Sequence, residues 1–290
     1  MLHNIKKYVL GTLICLQYSC GSDSEQTPID SEPNIDPPID THCPGTVSDA
    51  EPTGNYDVLV WADEFDTQGF PCRQNWDAEI GKGQDGWGNW EKQYYTRENA
   101  NSNDGILSIT AKEEDYRGSK YTSARLVTRN KFDFTHGRVE VRAKLPAGIG
   151  TWPAIWLLGS DYLSNTWPKC GEIDIMEQKG WEKNKVLATT HWYEYGPQPA
   201  YVGHAEYSRT KILSTSTTQF HVYALEWTSS SIKMYVDDQQ VYSMGPKAYM
   251  PFDNDFFIIL NVAVGGTLGG TNIEAGLESS MEVDYVRVYK

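Results

Sequence analysis

Gly171 to Gln178 reads GEIDIMEQ and sets Glu172, Asp174 and Glu177 among Ile173, Ile175 and Met176. Alternating β-branched residues favour a strand over a helix. A helix would also carry Glu172 and Glu177 on well-separated faces. In a regular strand Glu172, Asp174 and Met176 point one way, and Ile173, Ile175 and Glu177 the other. Glu177 would then be buried, unpaired, on the apolar side of the sheet, which is costly. One extra residue near Ile175–Met176, a β-bulge, returns Glu177 to the face of Glu172 and Asp174.

The bulged strand presents Glu, Asp, Glu along one groove. At ~3.3 Å per residue its outer α-carbons lie roughly 13–16 Å apart. Two long side chains leaning inward on a concave sheet close most of that gap. Carboxyls about 5–5.5 Å apart suit double displacement at a glycosidic carbon. Three clustered carboxylates do not all ionise near neutral pH, so one strand supplies both a nucleophile and an acid. The shorter Asp174 fits between them as a hydrogen-bonding partner. An exposed acidic strand edge would read the same over so few residues, so the flanking sequence has to decide.

Working outward, strand-like runs separated by turn signals dominate. VLVWADEF (58–65) opens them, and ILSITAK (106–112) alternates after an Asn-Asp-Gly turn. RVEVRAKL (138–145) alternates strictly, with charges on one face and Val139, Val141, Ala143 and Leu145 on the other. SIKMYVDD and QQVYSM read as a hairpin about Asp237–Asp238. FFIILNVAV (256–264) is apolar on both faces, as in an inner strand of packed sheets, and MEVDYVRVY (281–289) closes the chain. There is no long amphipathic helix and no repeat. The expected fold is all-β, a β-sandwich jelly roll of two curved antiparallel sheets with a concave cleft.

The 290 residues suit one large domain with tails. The 10 Trp and 18 Tyr are a high count; many suit the core as large residues, and sugar rings also stack on such faces. A net charge of −14 argues against nucleic acid as a partner. Lys6 and Lys7 precede an apolar stretch, Tyr8 to Leu16, too short to span a bilayer. Ser19-Cys20 after it resembles a bacterial lipoprotein cleavage site, making Cys20 the lipidated first residue of the mature chain. Residues 1–20 are thus read as a signal peptide, and 21–54, rich in Pro, Ser and Asp, as a flexible tether. The domain proper runs from 55 to 290. Cys43, Cys72 and Cys170 remain after the signal, an odd number that suggests one disulfide and one free thiol. A Cys43–Cys72 bond would pin the tether to the domain. No Cys/His spacing suggests a metal site.

With these residues in view, GEIDIME resembles the active-site strand of glycoside hydrolase family 16 in its bulged form. WADEFD (61–66), GWGNWEKQYYT (86–96), YTSARL (121–126), GRVEVRAKLP (137–146), GTWPAIWLLG (150–159), FHVYALEW (220–227), ILNVAVGG (259–266) and VDYVRVY (283–289) resemble family blocks in family order. Coverage runs from about Tyr56 to Lys290, and the laminarinase-like (endo-β-1,3-glucanase) branch is the most similar. The resemblance implies a retaining hydrolase with Glu172 as nucleophile, Glu177 as acid/base and Asp174 as their assistant. It implies substrate contacts from Asn89, Arg125, Trp152 and Trp156, while His191, in THW after the acidic strand, is in place to hydrogen-bond either sugar or Asp174. Trp90 departs from the pattern, since many laminarinases carry a second Asn there, and an indole at the groove rim bears on linkage preference. Catalysis needs no cofactor. A structural calcium ion is implied at Glu64, Gly105 and Asp284, at least partly through backbone carbonyls.

The expected substrate is β-1,3-glucan, with mixed β-1,3/1,4-glucan as a further one, acted on by a monomer. The expected location is the cell envelope, anchored by lipid at the outer membrane or cell surface, or else the exterior after secretion. A red-algal galactan hydrolase shares the bulged strand, but the laminarinase-like blocks and the low pI disfavour it. A non-catalytic glucan-binding relative typically lacks the catalytic carboxylates that are present here.

Overall fold

A computed structural model describes residues 55–195 and 202–290. The signal and Cys20, and the tether at 21–54, lie outside the described residues. The described strands, in chain order, are β1 (Leu59–Asp63), β2 (Asp77–Ala78), β3 (Gln93–Tyr95), β4 (Ala100–Asn103), β5 (Ile106–Tyr116), β6 (Ser119–Ser123), β7 (Arg125–Val127), β8 (Asp133–Phe134), β9 (Gly137–Lys144), β10 (Thr151–Gly159), β11 (Glu172–Gln178), β12 (Lys185–Tyr195), β13 (Val202–Ile212), β14 (His221–Thr228), β15 (Ser231–Val236), β16 (Gln239–Met244), β17 (Phe256–Val264) and β18 (Glu278–Tyr289). They form two sheets. The ten-stranded sheet runs β16-β15-β14-β9-β18-β5-β6-β3, with β1 on β18 and β4 on β5. The eight-stranded sheet runs β13-β12-β11-β10-β17-β7-β2, with β8 on β17. This is the expected jelly-roll sandwich. One feature differs from the antiparallel expectation: β3 and β6 pair in parallel. Alternation along a strand carries no information about the direction of its neighbour.

The alternating strands behave as their patterns require. In β9, Val139, Val141 and Ala143 are fully buried. Its outward residues form cross-strand ion pairs, Arg138 with Glu226 at 2.7 Å and Lys144 with Glu282 at 2.8 Å. Each of the two valines contributes roughly 1.5–3 kcal/mol relative to exposure, as an upper bound. The β15–β16 hairpin turns at Asp237 and Asp238, both at positive φ (49° and 61°), as a type I′ turn demands. Every residue of β17 is buried. Ile258, Leu260 and Val262 join the main core between the sheets, whereas Phe257 and Ile259 pack on the outer side against Trp156, Leu158 and Tyr162.

The bulge in β11 is present. On β12, Asp174 faces Thr189 but Glu177 faces Leu187; on β10, Asp174 faces Trp156 but Glu177 faces Ala154. Three steps along β11 thus match two on each neighbour. The surplus lets the adjacent Ile175 and Met176 both enter the sandwich core. Gly171, at φ +82°, leads the chain into this strand. A Cβ there would stand 2.7 Å from Pro251 Cγ and 3.0 Å from Phe256 Cζ, so only glycine fits. Cys72 is disulfide-bonded, and Cys170, just before Gly171, is free and buried.

Candidate active site

The outer face of the eight-stranded sheet lines a groove of about 630 Å³. Side chains at alternate positions of β10 and β11 form its floor, β12 and β13 form one wall, and β7, β17 and the segments around residues 87–91 and 267–268 close the other side. Asn89, Arg125, Trp152, Trp156, Glu172, Asp174, Glu177 and His191 all line it. The residues singled out from sequence for chemistry and for sugar contact are therefore brought to one place.

The three carboxyls are held differently. Trp152 Nε1 donates a 2.9 Å hydrogen bond to Glu177 Oε1, fixing that carboxyl on the groove floor. Asp174 is only 3% exposed. His191 Nε2 stands 3.2 Å from Asp174 Oδ2 and 3.8 Å from Glu172 Oε1. The Asp174 contact is close enough for an ion pair but out of line for a hydrogen bond, so Oδ2 is buried without a hydrogen-bond partner.

Burial pushes all three acids above their ordinary range, because charge is poorly solvated on this floor. Repulsion from Asp174 adds to the effect on Glu172, and repulsion from Glu177 adds to that on Asp174. For Glu177 the indole N–H of Trp152 opposes the rise, and positive charge on His191 opposes it for Glu172 and Glu177 alike. The hydrogen bond between Glu172 and Asp174 favours the proton on Glu172 and the charge on Asp174. The arrangement can keep one carboxyl protonated while another is charged, as acid-assisted displacement requires.

Arg125 is placed between two indoles, 4.7 Å from the Trp87 ring and 4.8 Å from the Trp156 ring, with Nε 2.7 Å from Glu79 Oε2. Its charge is thus largely committed to the groove wall. Asn89 lies at the mouth, and Trp90 beside it is 68% exposed. Several lining residues were not singled out from sequence: Trp87, Glu91, Trp167, His204, Glu206 and Asn261. Glu91 accepts from Gln93 Nε2 at 2.6 Å and from the Tyr95 hydroxyl at 3.1 Å. The Tyr95 hydroxyl in turn accepts from Asn261 Nδ2 at 3.1 Å, and Trp156 Nε1 donates to Asn261 Oδ1 at 2.8 Å. Glu91 lies inside the quoted GWGNWEKQYYT block, which was the available signal for it. Asn261 is a lone polar residue in the apolar run of β17, and that was its signal.

The residues expected to hold calcium lie by the other sheet, Glu64 just after β1, Gly105 just before β5 and Asp284 in β18. Glu64 is held by Arg287 through two bonds, at 2.7 and 2.9 Å, and Asp284 pairs with Arg142. Their carboxylates are therefore engaged, which leaves backbone oxygens. The Glu64 carbonyl oxygen and Asp66 Oδ1 come within 3.9 and 3.8 Å of the point where Gly105 would carry a Cβ. That corner offers one main-chain and one side-chain oxygen, the donor type a hard cation takes.

Residues 88–287 match the family described as Glycosyl hydrolases family 16. The β-glucanase of Rhodothermus marinus is 45% identical over 251 residues, spanning 80% of this chain and 85% of that protein. The crystal structure of LamAcat from Zobellia galactanivorans superposes with a TM-score of 0.76 at 39% identity, covering 82% of this chain and 99% of that one. A LamA variant from Z. galactanivorans, solved in complex with laminaritriose and laminaritetraose, gives 0.75 at 38% identity, covering 81% and 99%.

The raised pKa of Glu172 makes stability depend on pH. Its folded value lies well above the ordinary 4.5, so the stabilisation it brings is complete below 4.5 and is lost as pH rises through the folded value. Glu172→Gln removes that loss. The variant is expected to melt above the parent at pH 8, with the gap closing by pH 4, where both forms are neutral at this position. Calorimetry at the two pH values checks this; an equal or reversed gap would contradict it.

Proposed function

Because the chain belongs to glycosyl hydrolases family 16, we propose that it is an endo-acting β-1,3-glucanase that cuts laminarin-type glucan with retention of configuration. The observation that carries this reading is the bulge at Ile175–Met176, which sets Glu177 in the same groove as Glu172 and Asp174. The β-glucanase of R. marinus and the LamA variant that holds laminaritriose and laminaritetraose support glucose in β-1,3 linkage as the sugar. Mixed β-1,3/1,4-glucan is a further substrate of the same groove.

The chemistry follows from the placement of the carboxyls. Glu172 attacks the anomeric carbon while Glu177 gives its proton to the departing glycosidic oxygen. The bond to the leaving sugar breaks as the glycosyl–Glu172 ester forms. Glu177, now ionised, takes a proton from an incoming water, whose oxygen displaces Glu172 from the opposite face. The Trp152 N–H holds Glu177 within reach of that oxygen throughout. Glu172 passes the proton of its hydrogen bond to Asp174, which leaves Glu172 as the charged nucleophile and keeps it oriented. Trp152 and Trp156 give the sugar rings flat apolar faces, and the groove walls exclude bulk water from the ester. The chain acts as a monomer.

Two further features complete the proposal. A structural calcium ion is held through backbone oxygens at Glu64, Gly105 and Asp284, where it ties the first and last strands of the domain together. Cys20 carries a lipid that anchors the mature protein at the cell envelope.

Glu172→Gln and Glu177→Gln are each expected to lower laminarin hydrolysis about a hundredfold or more while the fold is kept. A reducing-sugar assay on laminarin, lichenan, agarose and carrageenan reads this out. Release from agarose or carrageenan in place of laminarin would favour a galactan hydrolase, and binding of laminarin without release would favour a glucan-binding protein. Chelation by EDTA is expected to lower the melting temperature, and an unchanged value would count against calcium. Intact-mass analysis of membrane-extracted protein should find a diacylglycerol adduct on a chain beginning at Cys20; an unmodified mass would refute the anchor.

A further inference from the structure

His191, His204 and Glu206 meet on one wall of the groove, on β12 and the edge strand β13. The register pairs His191 with Glu206 directly and sets His204 two residues along the same strand. His191 Nδ1 lies 2.9 Å from His204 Nε2 and 3.6 Å from Glu206 Oε2. One donor atom from each residue falls within 4.8 Å of the others. Around a tetrahedral zinc ion, donors at 2.0–2.2 Å stand about 3.3 Å from one another. The spacing found here straddles that value. Glu206 is 57% exposed and on an edge strand, so small side-chain rotations close the remainder.

A second observation points the same way. The other ring nitrogen of His191 faces Asp174 Oδ2, the buried oxygen that has no hydrogen-bond partner. An ion on Nδ1 obliges Nε2 to carry the proton, and a small ring rotation brings that N–H into line with the oxygen. Carboxylate, imidazole and metal in this sequence is the usual way a protein orients a metal-ligating histidine. The hydrolytic steps leave His204 and Glu206 without a task. Among the described residues, the other convergent group of such ligands is Glu172, Asp174 and His191, which shares His191.

We propose that His191, His204 and Glu206 bind one divalent transition-metal ion of the zinc class, and that the bound ion obstructs the groove beside Glu172 and Asp174. Two imidazoles and one carboxylate suit zinc, copper or nickel, whereas calcium takes six to eight oxygens. A sugar lying on this wall competes with the ion for the same space. The Trp167 ring is 4.7 Å from the His204 ring and 6.0 Å from that of His191, so its fluorescence reports occupancy.

Isothermal titration with zinc chloride in a non-chelating buffer is expected to show one ion per chain, with no binding of calcium chloride at this site. His204→Ala and Glu206→Gln are each expected to weaken zinc binding at least tenfold, with folding checked by circular dichroism. No zinc binding to the parent chain, or unchanged affinity in both variants, would overturn the proposal. The obstruction arm rests on the glucanase reading. Zinc should raise the KM for laminarin in the parent chain and leave it unmoved in Glu206→Gln, each compared with its own zinc-free value. An unmoved KM in a parent chain that binds zinc would overturn the obstruction. Absence of laminarin hydrolysis without any zinc would instead overturn the glucanase reading and leave the titration result standing.

Discussion

A single surplus residue in β11 decides what this groove can do. With regular pairing, Glu177 would enter the sandwich and Met176 would face the groove. The offset against both β10 and β12 exchanges them, so that Ile175 and Met176 join the core and Glu177 emerges beside Asp174 and Glu172. The exchange favours folding as well as chemistry. It adds apolar surface to the interior and spares the interior an unpaired acid.

The result is still a strained electrostatic arrangement. Three acids share a poorly solvated floor, and burial raises each of them. The surrounding structure supplies the stability that such a floor withholds. β17, beside β10 in the same sheet, is buried on both faces, and the core between the two sheets backs the floor. Gly171 admits the chain to β11 at a point where Pro251 and Phe256 leave no room for a side chain.

The walls are rigid for a reason that can be traced bond by bond. Glu91, Tyr95, Asn261 and Trp156 form a continuous hydrogen-bonded chain from the mouth to the floor. Arg125 stacks between Trp87 and Trp156 and is drawn toward Glu79. Side chains locked in this way meet a sugar without having to be ordered first, which preserves binding energy for the reaction. The wall formed by β12 and β13 is of another kind. Its His204 and Glu206 lie on the outer strand β13, His191 on β12 beside it, and the three are linked by ring and carboxylate contacts with room to rearrange.

The bulge, the facing of the three acids and the alternation of β9 were legible in the sequence, because a strand's period of two is a local property and an acid out of phase announces a correction. The hairpin at Asp237–Asp238 was legible for the same reason, since its turn chemistry is contained in its own residues. Trp152 and Trp156 could be placed near the acids, but their bonds could not be foreseen. Trp156 meets Asn261 across 105 residues of chain, and Arg125 meets Trp156 only because β7 and β10 flank β17. The trio of His191, His204 and Glu206, the commitment of Glu64 and Asp284 to arginines, and the parallel pairing of β3 with β6 were likewise decided by tertiary structure. The sequence determined by itself which residues share a strand face; only the folded sandwich determined which faces meet, because that depends on non-local strand order, of which a single strand's pattern holds no record.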